Sequence, residues 1–119
     1  YRSNNNNLTS NTANSNGEWG IVLSVSNYNT LINNTANSNS GDGIYFYGRN
    51  NTLINNTASN NTGMGIQLLF YLGNMLINST ACNNTGTYDI YCDVAPLGSS
   101  GNKCTKLYCP GVTCSPCPQ

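Results

Sequence analysis

The sequence predicts an all-β chain: a β-solenoid of about four rungs, each roughly 22–24 residues long, followed by a Cys-rich C-terminal tail. Three observations predict it. A Thr-Ala pair recurs at Thr12, Thr35, Thr57 and Thr80, at intervals of 23, 22 and 23. A Gly-Ile step recurs at Gly20-Ile21, Gly43-Ile44 and Gly65-Ile66 and becomes Asp89-Ile90, at intervals of 23, 22 and 24. A fixed period in this range marks a solenoid or an array. Between the landmarks lie Asn, Thr, Ser and Gly, which disfavour helix interiors. A leucine-rich repeat of similar length needs a denser leucine pattern, so short strands joined by polar turns remain.

The best-preserved unit is Asn51-Thr52-Leu53-Ile54-Asn55-Asn56-Thr57-Ala58, matched one repeat earlier by Asn29 to Ala36. Worn copies run from Asn74 to Ala81 and from Asn6 to Ala13. Strand alternation assigns the inward side chains. In Gly43-Ile44-Tyr45-Phe46-Tyr47, Ile44 and Phe46 point one way and the tyrosines the other. The equivalent inward pairs are Ile21/Leu23, Ile66/Leu68 and Ile90/Cys92. Leu8, Leu31, Leu53 and Leu76 form a second column, and Ala13, Ala36, Ala58 and Ala81 a third. Three apolar columns predict three strands per rung and a triangular cross-section.

The rhythm Leu31-x-x-Asn34-x-Ala36 followed by Gly43-Ile44-x-Phe46 resembles the repeats of right-handed parallel β-helix proteins of the NosD type, over residues 4 to 93. Related repeats are widespread in carbohydrate-active enzymes and in large archaeal surface proteins. The resemblance implies a right-handed parallel β-helix and carries no function by itself.

In such a fold, identical side chains stack about 4.8 Å apart. Asn11, Asn34 and Asn56, with Ser79 last, then form a buried amide ladder. Asn6, Asn29, Asn51 and Asn74 form a second ladder at a turn. The alternative reading takes these residues only as good turn formers.

The rungs span residues 1–93 and the tail 94–119. Tyr1-Arg2-Ser3-Asn4 is like the end of a rung, as in Tyr47-Gly48-Arg49-Asn50, so the first coil expects a neighbour: a copy of the chain, or upstream repeats of a longer one. The repeat is expected to stop after Asp93. The tail, with Pro96, Gly98, Ser99, Ser100 and Gly101 in its opening loop, is too short for a core of its own. Six cysteines, Cys82, Cys92, Cys104, Cys109, Cys114 and Cys117, suggest disulfides in an oxidising compartment. Cys82 and Cys92 either pair with each other or staple the tail to the last rung. A zinc site or a redox-active pair around Cys114-Ser115-Pro116-Cys117 stays open as an alternative.

Composition removes several function classes. The 119 residues carry four Lys and Arg, four Asp and Glu and no His. Nucleic-acid binding needs clustered basic residues, and Arg2, Arg49, Lys103 and Lys106 are scattered. The longest apolar run, Ile66 to Leu72, is too short to span a membrane. Without His, Ser-His and Cys-His nucleophiles are excluded. Glu18 and Asp42 fall in one loop region on neighbouring rungs, as a carboxylate pair for glycoside hydrolysis would require. Two solvated loop acids are the plainer reading, and no catalytic residue, metal or cofactor is assigned.

Asparagine makes up about a fifth of the chain, and glycosylation sequons begin at Asn7, Asn33, Asn50, Asn55, Asn60, Asn78 and Asn83. Stacked glycans on Asn33, Asn55 and Asn78 would crowd one another, and Asn60 and Asn83 are more accessible. Leu69-Phe70-Tyr71-Leu72 breaks the polar rule for a turn and marks a contact patch, for the tail or for another subunit. Trp19, Tyr45 and Tyr47 could line a sugar platform, with Asp42 beside them. The resulting expectation is a non-enzymatic extracellular module of a cell-surface layer, sheath or filament, archaeal by resemblance. The alternative is a carbohydrate-binding or carbohydrate-processing β-helix, with cell-surface glycans as partners.

Overall fold

The computed structural model describes residues 1–69 and 72–118. Its strands wind into a solenoid with three faces. The first face is a five-stranded sheet of β1 (Asn7–Thr9), β3 (Thr30–Ile32), β5 (Thr52–Ile54), β7 (Met75–Ile77) and β10 (Gly98–Ser100). The third face is a second five-stranded sheet of β2 (Ile21–Ser24), β4 (Ile44–Tyr47), β6 (Ile66–Leu69), β9 (Ile90–Cys92) and β12 (Leu107–Tyr108). Between them, Thr12, Thr35, Thr57 and Thr80 form parallel bridges. This second face then widens into β8 (Thr80–Ala81), β11 (Asn102–Cys104) and β13 (Cys114–Ser115). Among the described residues the strand pairings are parallel and follow the repeat, with Leu31 opposite Leu53 and Ile44 opposite Ile66.

The core is the three predicted columns. Leu31, Leu53 and Leu76 are fully buried on one face, Ala36, Ala58 and Ala81 on the next, and Ile44, Phe46, Ile66 and Ile90 on the third. Each of the large side chains contributes about 1.5–3 kcal/mol by leaving water. Leu8 and Ala13, in the first coil, are only partly buried.

The corners explain the asparagine content. Positive φ recurs in three corner columns: Asn5, Tyr28 and Asn50; Ser10, Asn33, Asn55 and Asn78; and Ser15, Ser38, Asn60 and Asn83; Arg2 and Val25 share it outside these columns. Asparagine tolerates this left-handed region better than other side chains do. The residue after each of these points inward, and a Thr usually follows it. Six of the seven sequons, all but that at Asn7, therefore sit on these corners. The motif Asn-Asn-Thr is what this corner requires, whether or not a sugar is attached.

The Gly-Ile landmark also has a steric cause. A Cβ on Gly43 would lie 2.6 Å from Asn61 Nδ2 and 2.7 Å from Ala58 Cβ, both in the next coil. Gly20 and Gly65 face the same obstruction from Asn39 and Asn84.

Coiling continues past Asp93, where the sequence pattern predicts a stop. Gly98 to Ser100 pair with Met75 to Ile77, Lys103 and Cys104 with Thr80 and Ala81, and Leu107 and Tyr108 with Ile90 and Tyr91. The tail thus forms a shortened fifth coil and, through β13, a strand beyond it. It needs no core of its own because it lies on the core of the fourth coil.

Gly43→Ala is expected to lower the unfolding free energy by about 1–3 kcal/mol through overpacking, measured by guanidinium denaturation. An unchanged midpoint would contradict the steric role of the Gly-Ile step.

Candidate functional site

Three amide ladders run the length of the solenoid. In the expected one, Asn11 Nδ2 donates to Asn34 Oδ1 at 3.0 Å and Asn34 Nδ2 to Asn56 Oδ1 at 3.1 Å. The backbone N–H of each lower residue donates to the same oxygen. The second amide hydrogen reaches back to a carbonyl, as from Asn34 to Leu8 and from Asn56 to Leu31. Ser79 interrupts the relay: it accepts only the Asn56 backbone N–H, at 3.3 Å. Asn102 then resumes it, accepting from the Ser79 N–H at 2.9 Å. The turn ladder also forms, with Asn6 donating to Asn29 at 3.0 Å and Asn29 to Asn51 at 3.2 Å. The Asn51 backbone N–H passes it on to Asn74 at 2.9 Å.

A third ladder stands beside the two expected ones. Asn16, Asn39, Asn61 and Asn84 are linked through Nδ2–Oδ1 bonds of 2.9, 3.1 and 3.0 Å. Their spacing of 23, 22 and 23 was the available signal. This ladder ends on Asp89, whose Oδ1 accepts from Asn84 Nδ2 at 2.9 Å and from the Asn84 N–H at 3.1 Å. Asp89 Oδ2 accepts the backbone N–H groups of Thr105 and Lys106. Burial pushes the Asp89 carboxyl up, but the donors on Lys106, Asn84 and Thr105 outweigh it, and the net shift is down. Asp89 stands where Gly20, Gly43 and Gly65 stand in lower coils. Its own side chain fills the space that the next asparagine fills elsewhere. A carboxylate accepts but cannot donate, so the relay stops there. Lys106 Nζ adds bonds to the carbonyls of Asn84 and of Gly86, the latter at 2.6 Å.

The cysteines close the same end. Cys82 bonds Cys117, Cys92 bonds Cys109 and Cys104 bonds Cys114. Cys82 and Cys92 therefore do not pair with each other; each staples a later segment to the fourth coil. No cysteine is free, which leaves no thiolate for zinc. Among the described residues no cluster of three metal-ligating side chains occurs, and no helix is long and apolar enough to cross a membrane.

In the first coil Asn6, Asn11 and Asn16 are exposed, and β1 and β2 are the edge strands of their sheets. A depression of about 310 Å³ lies between them, lined by Tyr1, Ser3, Asn6, Leu8, Ile21 and Leu23 among others.

The remaining candidates are placed as follows. Trp19 and Tyr45 lie 6.2 Å apart, ring centre to ring centre. With Val22 and Ser24 they line an apolar concavity of about 310 Å³. Tyr47 is half-buried and pairs in register with Ser24 and Leu69. Asp42 does not join this concavity. Its Oδ1 accepts the Met64 N–H of the next coil at 2.7 Å, facing away from the coil that carries Glu18. The two acids are therefore not assembled as a pair. Desolvation raises the Asp42 pKa, partly offset by the Met64 bond. Of the contact patch, Leu69 is half-buried and Leu72 is 72% exposed; Phe70 and Tyr71 lie outside the described residues. The sequon residues Asn7, Asn33, Asn55, Asn60, Asn78 and Asn83 are exposed, and Asn50 is half-exposed.

Two expectations follow from this geometry. Ser79→Asn is expected to complete the broken ladder and raise stability by about 0.5–1.5 kcal/mol, whereas Asn34→Ala strands buried partners and lowers it by about 1–3 kcal/mol; chemical denaturation reads both. Asp42 has its folded pKa above the unfolded value of 3.8, so its ionisation disfavours the folded state at neutral pH. Asp42→Asn keeps the acceptor for Met64 and removes that charge. Thermal melts are expected to show the variant at least as stable at pH 7, with the difference closing as pH falls through the folded pKa toward 3.8.

No curated protein matches the chain, and no solved structure does. Residues 1–113 match the family model described as the right-handed β-helix region. That span takes in the coils and most of the cysteine-rich segment, and the chain belongs to the right-handed β-helix family.

Proposed function

We propose that this chain is a structural module working outside the cell, as part of a cell-surface layer, sheath or filament, with no catalytic role. One observation carries the reading. The two coil ends differ: one is closed by Asp89, Lys106 and three disulfides, and the other presents edge strands and unfilled ladder positions at Asn6, Asn11 and Asn16. Unpaired strand edges are templates for further pairing, and a solenoid face without a polar cap invites another coil, supplied by upstream repeats of a longer polypeptide or by a second copy. Disulfides fit an oxidising compartment. Glycans at the exposed corners Asn60 and Asn83 are compatible with that setting.

Electron microscopy of native material is expected to show the chain inside a periodic assembly, with a repeat of about 4.8 Å along the axis in diffraction. Solitary particles of one chain, with no such spacing, would remove the assembly reading.

The Trp19–Tyr45 concavity favours a second reading, a saccharide-binding module in which a sugar ring stacks on the two aromatics. Soluble cell-surface glycans are then expected to shift the fluorescence of Trp19, and Tyr45→Ala to abolish the shift. No response across such glycans would sink it.

A further inference from the structure

The outer side of the third face carries one column of side chains in strand register: Val22, Tyr45, Gln67, Tyr91 and Tyr108. The last two are tyrosines on neighbouring coils. Their rings are stacked, with centroids 5.4 Å apart and planes 17° apart. Tyr88 lies beside both, 5.7 Å from each but tilted. Tyr108 is half-exposed, so the pair is open to solvent on one side.

Two neighbours make this more than surface packing. On the inner side of the same strands, the next residues, Cys92 and Cys109, are joined by a disulfide with their Cα atoms 4.4 Å apart. That bond holds β9 against β12 and keeps the two rings from drifting apart. The Asp93 carboxylate, more than burial, holds the Tyr91 phenol's pKa above its ordinary value. One Asp93 oxygen, Oδ2, is buried with no hydrogen-bond partner, so the carboxylate has capacity to take a proton. A phenol gives up an electron most easily when a positioned base takes its proton at the same moment. Two rings held in contact then react as a single molecule rather than as two.

We propose that Tyr91 and Tyr108 are a site of oxidative cross-linking, joined carbon to carbon when a haem peroxidase and hydrogen peroxide act on the folded chain. Each phenol loses one electron and one proton and becomes a phenoxyl radical, with Asp93 receiving the Tyr91 proton. The radicals couple at their ortho carbons, forming one C–C bond. The two ring hydrogens at the coupled carbons leave as protons while the phenoxyl oxygens are reprotonated, which restores both phenols. The peroxide O–O bond breaks, and the two electrons and two protons convert hydrogen peroxide to two waters. The product fastens the fourth coil to the fifth on the outside, where the Cys92–Cys109 bond fastens them on the inside.

The test treats the folded chain with a haem peroxidase and hydrogen peroxide. Dityrosine fluorescence should appear, and the mass should fall by two hydrogens. After reduction and cleavage before Asp89 and Asp93, which separates Tyr88, Tyr91 and Tyr108 into three peptides, the peptide bearing Tyr91 should remain joined to that bearing Tyr108. The yield should not depend on protein concentration. Tyr108→Phe should abolish the link, Tyr28→Phe should leave it, and Asp93→Asn should slow it several-fold, with circular dichroism confirming that each variant folds. A link mapped to Tyr88, Tyr1 or Tyr28 would overturn the proposal. So would a yield proportional to concentration, equal linkage in the reduced and unfolded chain, or no link under conditions that couple free tyrosine.

Discussion

The buried amide hydrogen bond between equivalent asparagines of adjacent coils is the constraint on which the rest depends. The interior coils carry buried asparagines at their three corners, with Ser79 the exception in the fourth, and these have almost no solvent contact. A buried polar group without a partner costs about 1–3 kcal/mol. Here the partner is the same residue one coil away, so the arrangement works only if the next coil repeats the last. The apolar columns then follow, because a strand that keeps Asn34 under Asn56 also keeps Leu31 under Leu53 and Ala36 under Ala58. A slip by one residue would break three relays at once and turn the inward face outward. The corners carry opposed outer bonds as well: Asn37 donates its N–H down to Asn14, and Ser59 down to Asn37. Inner and outer ladders therefore hold each coil from both directions.

A structure that repeats this readily needs a chemical reason to stop. At the third ladder, one atom type supplies it, since Asp89 can receive the relay and cannot hand it on. The fifth coil is also shorter between its landmarks: Leu107 follows Ile90 much sooner than Ile90 follows Ile66, yet both pairs sit in register. The corner that would hold another asparagine is missing, and the Asp89 side chain fills its place. The cysteines then replace apolar column residues, with Cys104 over Ala81. The last coils are held by covalent bonds where burial is thinnest.

Much of this was legible in the residues, and the rest was hidden for identifiable reasons. The period, the three apolar columns and two of the ladders could be read because the same letters return at a nearly constant interval. The third ladder escaped because Asn16, Asn39, Asn61 and Asn84 lie among serines and glycines that look like ordinary turn residues. The fifth coil escaped because Ser99 stands in the leucine column and Leu107 arrives early. Without coiling past Asp93, disulfide connectivity could not follow, since Cys104 and Cys109 are placed only by that coil. The Tyr91–Tyr108 stack was hidden for the same reason.

The ladders also give the rod an electrical direction. In each inner relay one Nδ2 hydrogen points toward the closed end and the oxygen that accepts it points back toward the first coil. Aligned amides sum their dipoles, as they do along a helix. Asp89 places a negative charge where the partial positive charge of one column accumulates, and this adds to the stability of the closure. At the first coil the polarity is opposite, since Asn6, Asn11 and Asn16 each direct an Nδ2 hydrogen into the ladder above. A coil that precedes the first, in this polypeptide or in another copy, is matched by direction as well as by shape, because continuing the ladders takes an N–H donor at each of those three corners.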